Sequence, residues 1–136
     1  MFLNLLNENE GKNFLELAAL AMNVDGEIEE QERNIFSTYR FELGLENYKI
    51  KGKDYKNIVR ELKASRTRIL RAIIIELAGM MDADKEIEKV EEVWLLQLGS
   101  DLDFRDSEMR RMIRWTQDFN DLLAEGYMYI NKQNEE

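Results

Sequence analysis

Two short stretches concentrate oxygen-bearing side chains at close spacing, Asn23-Val24-Asp25-Gly26-Glu27-Ile28 and Asp82-Ala83-Asp84-Lys85-Glu86-Ile87. With Glu32 and Glu91 they form two sets of four donors: Asn23, Asp25, Glu27 and Glu32, then Asp82, Asp84, Glu86 and Glu91. Hard cations such as Ca²⁺ and Mg²⁺ need clustered oxygen ligands, so these eight residues are candidate metal ligands. The alternating acids open like an EF-hand. The sixth positions are Ile28 and Ile87 instead of glycine, and the twelfth are Asn34 and Val93 instead of glutamate, so neither stretch is one.

The same acids have a purely structural use. A carboxylate at a helix N-terminus accepts hydrogen bonds from unpaired backbone N–H groups and is favoured by the helix dipole. Glu32 and Glu91 stand where a capping box places its glutamate, and each such cap stabilises by about 0.5–2 kcal/mol. Gly26 then supplies a positive φ, and Ile28 and Ile87 staple the chain into the following helix. Metal site and helix cap are competing accounts of one set of residues.

Helices must position these turns. The chain has no proline, and good helix formers fill its long segments, which predicts an all-α protein. Phe14, Leu17, Ala18, Ala21 and Met22 form the stripe of a first helix over about 10–22. Ile35, Phe36, Tyr39 and Leu43 mark a second over 29–43, stopped by Gly44. A loop then leads to a short basic helix over about 54–64. Arg66 to Met81 is apolar almost all round and reads as the central helix. Val90, Val93, Trp94 and Leu98 mark a helix stopped near Gly99, and Ser100 to Arg105 form an acidic connection. A last helix follows, capped by Asp106 or Ser107, with Met109, Met112, Ile113, Thr116, Phe119, Leu123, Tyr127 and Ile130 along its stripe and a bend or split at Asn120 or Gly126. Tyr127, Tyr129, Trp94 and Trp115 are expected in the core or at its edge.

Displacing the sequence by 59 residues aligns 14–36 with 73–95, with seven identities: Ala19/Ala78, Met22/Met81, Asp25/Asp84, Glu27/Glu86, Ile28/Ile87, Glu29/Glu88 and Glu32/Glu91. A duplicated helical hairpin follows, with two-fold packing of the copies as its natural arrangement. One domain over 1–136 is expected, with repeat 1 at about 10–44, a basic linker helix at about 45–65, repeat 2 at about 66–104 and a C-terminal helix at about 106–133.

At these residues the chain resembles the TerB-like family associated with tellurite resistance, whose members carry an alanine-rich helix, an Asp-Gly turn, an apolar residue and a glutamate seven residues after the aspartate. Asp25-Gly26-Glu27-Ile28 with Glu32 matches that pattern, and Asp84-Lys85-Glu86-Ile87 with Glu91 matches it without the glycine. The resemblance covers about 10–105. It implies a compact helical bundle of two pseudo-symmetric helix-turn-helix hairpins, acids gathered on one surface, and a divalent-cation role in stress response. Lys85 in place of glycine implies that the first turn keeps the family-like geometry.

Charge narrows the partners. The formal net charge is −9, which disfavours nucleic acid, but it is unevenly spread. Residues 1–32 hold eight acids against one base and residues 82–108 hold ten against three, whereas residues 49–71 hold nine bases against two acids. That basic run, with Lys56, Arg60 and Lys63 on its short helix, is either a solvated face that balances the acidic turns or a binding surface for an anionic partner. With no His and no Cys, imidazole and thiol catalysis and zinc–thiolate sites are missing, so no enzyme is expected. Ile69 to Met81 is too short and too interrupted to cross a bilayer, and the first residues are a poor secretory signal. The expectation is a cytoplasmic, non-catalytic module that binds a divalent cation, a protein partner or both through its acidic turns, with a homodimer through the final helix as a further option. The alternative is a structural or adaptor domain whose acids are only caps and whose segment 49–71 holds an anionic partner.

Overall fold

The computed structural model describes residues 1–23, 30–83 and 86–132, with the backbone alone at 30–32. Among the described residues the protein is all-α, with six helices and no strand: α1 Glu8–Met22, α2 Glu30–Glu42, α3 Tyr55–Leu62, α4 Thr67–Met81, α5 Lys89–Asp101 and α6 Asp106–Asn131, preceded by a 3-10 turn at Leu3–Leu5. No described helix is long and apolar enough to cross a membrane.

The apolar run of α4 makes it the centre of the packing. Ten of its fifteen residues are buried. It touches α1, α2, α5, α6 and the N-terminal 3-10 turn, so its Ile, Leu and Met side chains lose contact with water on nearly every side. The second buried helix is α1, started by a capping box in which Asn7 and Glu10 exchange backbone-to-side-chain hydrogen bonds of 2.8 and 2.9 Å. It is covered by α2, α3 and α4. The short α3 turns Ile58, Val59 and Leu62 inward and leaves its bases outside. Tyr39 of α2 closes the core between the two central helices, edge-on to Phe14 with centroids 5.0 Å apart and donating to the Glu76 carbonyl at 2.9 Å.

The two helix pairs share their limits. Glu8, Met22, Glu30 and Glu42 bound α1 and α2, and Thr67, Met81, Lys89 and Asp101 bound α4 and α5, each 59 residues later. Of the nine buried positions of α1, all but Glu16 are buried again at the same displacement in α4.

The helix stops correspond too. Gly44, at φ 70°, ends α2 in a Schellman arrangement: its N–H donates to the Phe41 carbonyl at 3.0 Å and that of Leu45 to Arg40 at 2.8 Å. At the end of α5, Asp103 and Phe104 donate to Ser100 and Gly99 at 3.0 and 2.8 Å, with Asp103 itself at φ 70°. The expected stop at Gly99 is thereby corrected. Gly99 lies inside α5, where any β-carbon would collide with the Met109 side chain, so its smallness admits α6 and does not end α5. Ser100 and Asp101 belong to the helix.

Two apolar stripes need correction as well. Val90 and Val93 are 44% and 52% exposed, and the buried side of α5 carries Glu91, Leu95, Leu98 and Gly99. A buried glutamate displaced the apparent stripe by one position. Helix α6 has Arg105 at its N-cap, so Asp106 and Ser107 lie in its first turn and do not cap it; it is unbroken at Asn120 and Gly126, and it leaves the core early. Met109, Ile113 and Thr116 are buried, whereas Leu123, Tyr127, Tyr129 and Ile130 are exposed and Trp115 is nearly half so. Tyr127 and Tyr129 are therefore not core residues.

Asp103 adopts a left-handed backbone that disfavours residues with a β-carbon. Asp103→Gly is expected to raise stability by about 0.5–1 kcal/mol. Thermal unfolding checks it, and a destabilised variant would mean that the Asp103 side chain outweighs its backbone cost.

Candidate functional site

Of the eight acidic-turn residues, Asn23, Asp82, Glu86 and Glu91 fall among the residues whose side chains are described; Asp25, Glu27, Glu32 and Asp84 lie outside them. Asn23 caps the end of α1 and turns back, its Nδ2 donating to the Ala19 carbonyl at 3.1 Å. Asp82, the equivalent residue at the end of α4, reaches across to α6, where Asn120 Nδ2 donates to its Oδ2 at 3.1 Å. Burial pushes the Asp82 carboxyl above the usual range and the negative charges of Asp121 and Glu86 push the same way, while the Asn120 hydrogen bond opposes them. Glu86 is exposed.

Glu91 has a different task. It is 1% exposed, and its Oε1 accepts the Glu88 backbone N–H at 2.9 Å in a capping box at the start of α5. Of the two uses that the sequence allows Glu91, metal ligand and capping-box glutamate, the side chain is seen in the second. It can be buried because a carboxylate is tolerated in the interior where a helix N-terminus supplies donors and a favourable dipole. Among the described residues no group of three or more acidic side chains is arranged to hold a metal ion. The second turn is thus split: Glu91 faces inward as a cap, while Asp82 makes an acidic end where α4 meets α6, with the charges of Asp121 and Glu86 acting on it.

The basic segment is split in the same way. Lys53 Nζ lies 2.7 Å from both Asn13 Oδ1 and Glu61 Oε1, and Arg71 pairs with Glu108 at 3.3 Å and lies over the Phe104 ring. These two bases tie helices together. Lys56, Arg60 and Lys63 are exposed at helical spacing on α3, beside a shallow depression that Tyr55, Val59 and Asp101 complete. Arg60 donates to Asn57 at 2.6 Å and Lys63 lies 3.6 Å from Asp103, both surface contacts that water and salt weaken.

Two buried carboxylates were not singled out from the sequence. Glu76, 8% exposed, accepts the Phe2 N–H at 2.7 Å and fastens the first residues to α4. Glu16, 2% exposed, accepts from the Tyr48 hydroxyl at 2.6 Å and from the Lys51 and Lys53 backbone N–H groups at 2.9 and 3.0 Å. It holds the loop between α2 and α3 against α1. Burial opposes ionisation of Glu16, but these hydrogen bonds prevail and hold its carboxyl below the ordinary range. The signal for both was an acid inside an otherwise apolar helical run.

Compared with family models, with curated proteins and with solved structures, the chain matches none.

A carboxylate with a depressed pKa contributes stability that is complete above its unfolded value, about 4.5 for Glu16, and lost as pH falls through the lower folded value. Glu16→Gln is expected to cost about 1–3 kcal/mol at pH 7 and to reduce the further loss of stability below pH 4.5. Unfolding curves across pH check this, and equal acid sensitivity in both proteins would overturn it. For the cap, Glu91→Ala is expected to cost about 1–3 kcal/mol in metal-free buffer and Glu91→Gln less, because glutamine can accept the same N–H. An alanine variant as stable as the parent would remove the capping role.

Proposed function

We infer that the chain is a non-catalytic interaction module of TerB-like build, acting in a stress response through acidic turns that engage a protein partner, a divalent cation or both. The shared 59-residue displacement of helix limits, buried positions and Schellman stops supports two pseudo-symmetric hairpins, α1 with α2 and α4 with α5. One observation carries the functional reading. Asp82 reaches from the end of α4 to Asn120 of α6, within range of the charges of Asp121 and Glu86, while Glu91 is occupied at its own helix start.

That division favours a protein partner at the second turn over an ion. A cation cage there would have to draw Glu91 out of a buried capping box, at a cost comparable to the cap itself. An acidic rim needs no such rearrangement to meet a basic surface. The second reading, an adaptor that holds an anionic partner on α3, is favoured by the exposed row Lys56, Arg60 and Lys63.

Charge reversal separates these readings. Asp82→Lys with Asp121→Lys is expected to abolish salt-sensitive capture of the partner, and Lys56→Glu with Arg60→Glu and Lys63→Glu to leave it intact; the opposite pattern would select α3. Calorimetric titration with Ca²⁺, Mg²⁺, Mn²⁺ and Zn²⁺ tests the cation. Millimolar ion without heat, or binding unchanged by Asp25→Asn with Asp84→Asn, removes it.

A further inference from the structure

Helix α6 is longer than the body that supports it. Its 26 residues span about 39 Å, whereas the 15 residues of α4 span about 22 Å. The stripe that buries Met109, Ile113 and Thr116 continues unchanged in character through Leu123, Tyr127 and Ile130, which are 48%, 56% and 77% exposed. Where that stripe emerges it forms one wall of a groove. Ile35 of α2, Gly79 of α4 and Ala83 just beyond it line this groove with Asn120, Leu123, Ala124 and Tyr127 of α6.

The groove is mostly apolar, and Asn120 among its lining residues donates to Asp82 at one edge at 3.1 Å. Between Arg114 and Lys132 the sequence of α6 has no base; of its acids, Asp121 follows Asn120 beside the groove, while Asp118 and Glu125 fall about 140° and 160° around the helix from Leu123. Asp82 stands at the end of α4, near enough to Asp121 and Glu86 for their charges to disfavour its ionisation. The bases closest in sequence are Lys85, outside the described residues, and Arg33, which is exposed and falls about 200° around α2 from Ile35.

We propose that this groove binds a basic amphipathic helix of a partner protein, its apolar face against Ile35, Ala83, Leu123 and Tyr127 and its lysines or arginines against Asp82, Glu86 and Asp121. The proposal deepens the reading of the acidic end as a partner surface and rests on it. A helix laid in a groove presents apolar anchors at i, i+3, i+4 and i+7, and Leu123 and Tyr127, one turn apart on α6, supply an apolar wall for them. Opposite charge at the rim fixes orientation and speeds encounter. A second copy of this chain fits less well, because pairing two copies through this groove sets Asp82 and Asp121 against the same two acids.

The test uses the full chain and three synthetic probes of about 14 residues: a leucine–lysine peptide with leucines at helical spacing, a scramble of the same composition, and oligolysine of the same charge. The patterned peptide is expected to bind with a Kd on the order of micromolar, the scramble about tenfold more weakly. Leu123→Asp and Tyr127→Ala, both at exposed positions, are expected to weaken the patterned peptide about tenfold each while circular dichroism stays unchanged. Equal binding of patterned and scrambled peptides, or indifference to both substitutions, overturns the groove and leaves the acidic end standing as a charge surface. Failure of all three probes, oligolysine included, overturns both. A dimer in sedimentation that Leu123→Asp disperses overturns the proposal in favour of a second copy as occupant.

Discussion

Covering α4 is the constraint from which the other placements follow. Ten buried residues in fifteen leave it no solvent face of useful width, and a helix of that kind is stable only when surrounded. Helices α1, α2, α5 and α6 and the N-terminal 3-10 turn each take a part of its surface. Helix α3 is the exception, lying on α1 instead. Gly99 shows how tightly the cover is drawn, since α6 comes so close to α5 that Met109 occupies the space of a β-carbon.

Buried carboxylates fasten the irregular parts of the chain to this frame. Glu76 takes the Phe2 N–H, Glu16 takes N–H groups of the loop between α2 and α3, and Glu91 takes the N–H of the residue that starts α5. An ionised carboxylate is costly in an apolar interior unless donors surround it, and charge-assisted hydrogen bonds to backbone N–H groups are among the stronger ones. Among the described residues no buried side-chain nitrogen or oxygen lacks a partner. The exception in the burial correspondence of the two halves has its cause here: Glu16 is buried because it serves a loop, and its counterpart Ile75 has no such loop to hold.

The legibility of the sequence followed the same physics. The central helix, the stop at Gly44 and the 59-residue displacement were readable because apolar density, glycine and repeated identities are local signals. Asp103 was not, because an aspartate can take the left-handed position that glycine normally marks, and Gly99 nearby offered a misleading stop. The face of α5 was misassigned because hydropathy counts Glu91 as outward, whereas its hydrogen bond lets it point inward. The outward emergence of Leu123, Tyr127 and Ile130 was hidden because a stripe records which side of a helix is apolar, and carries no information about where the neighbouring helices end. The candidate site was legible as a set of acids but not as a division of labour between caps and rim.

That division bears on what an acidic surface can do in this fold. The first half of the chain commits Glu10 to a cap and Glu16 to a loop, and the second commits Glu91 to a cap, so the acids left facing outward are fewer than composition suggests. Of these, Asp82 stands where α6 passes the end of α4, with the charges of Asp121 and Glu86 acting on it. Exposed apolar side chains there would promote association of like copies, and a single sign of charge beside them opposes it. The same charge lowers the barrier to a partner of opposite sign. An apolar groove with acids at one edge is therefore selective by construction: it disfavours its own kind and favours a basic helix.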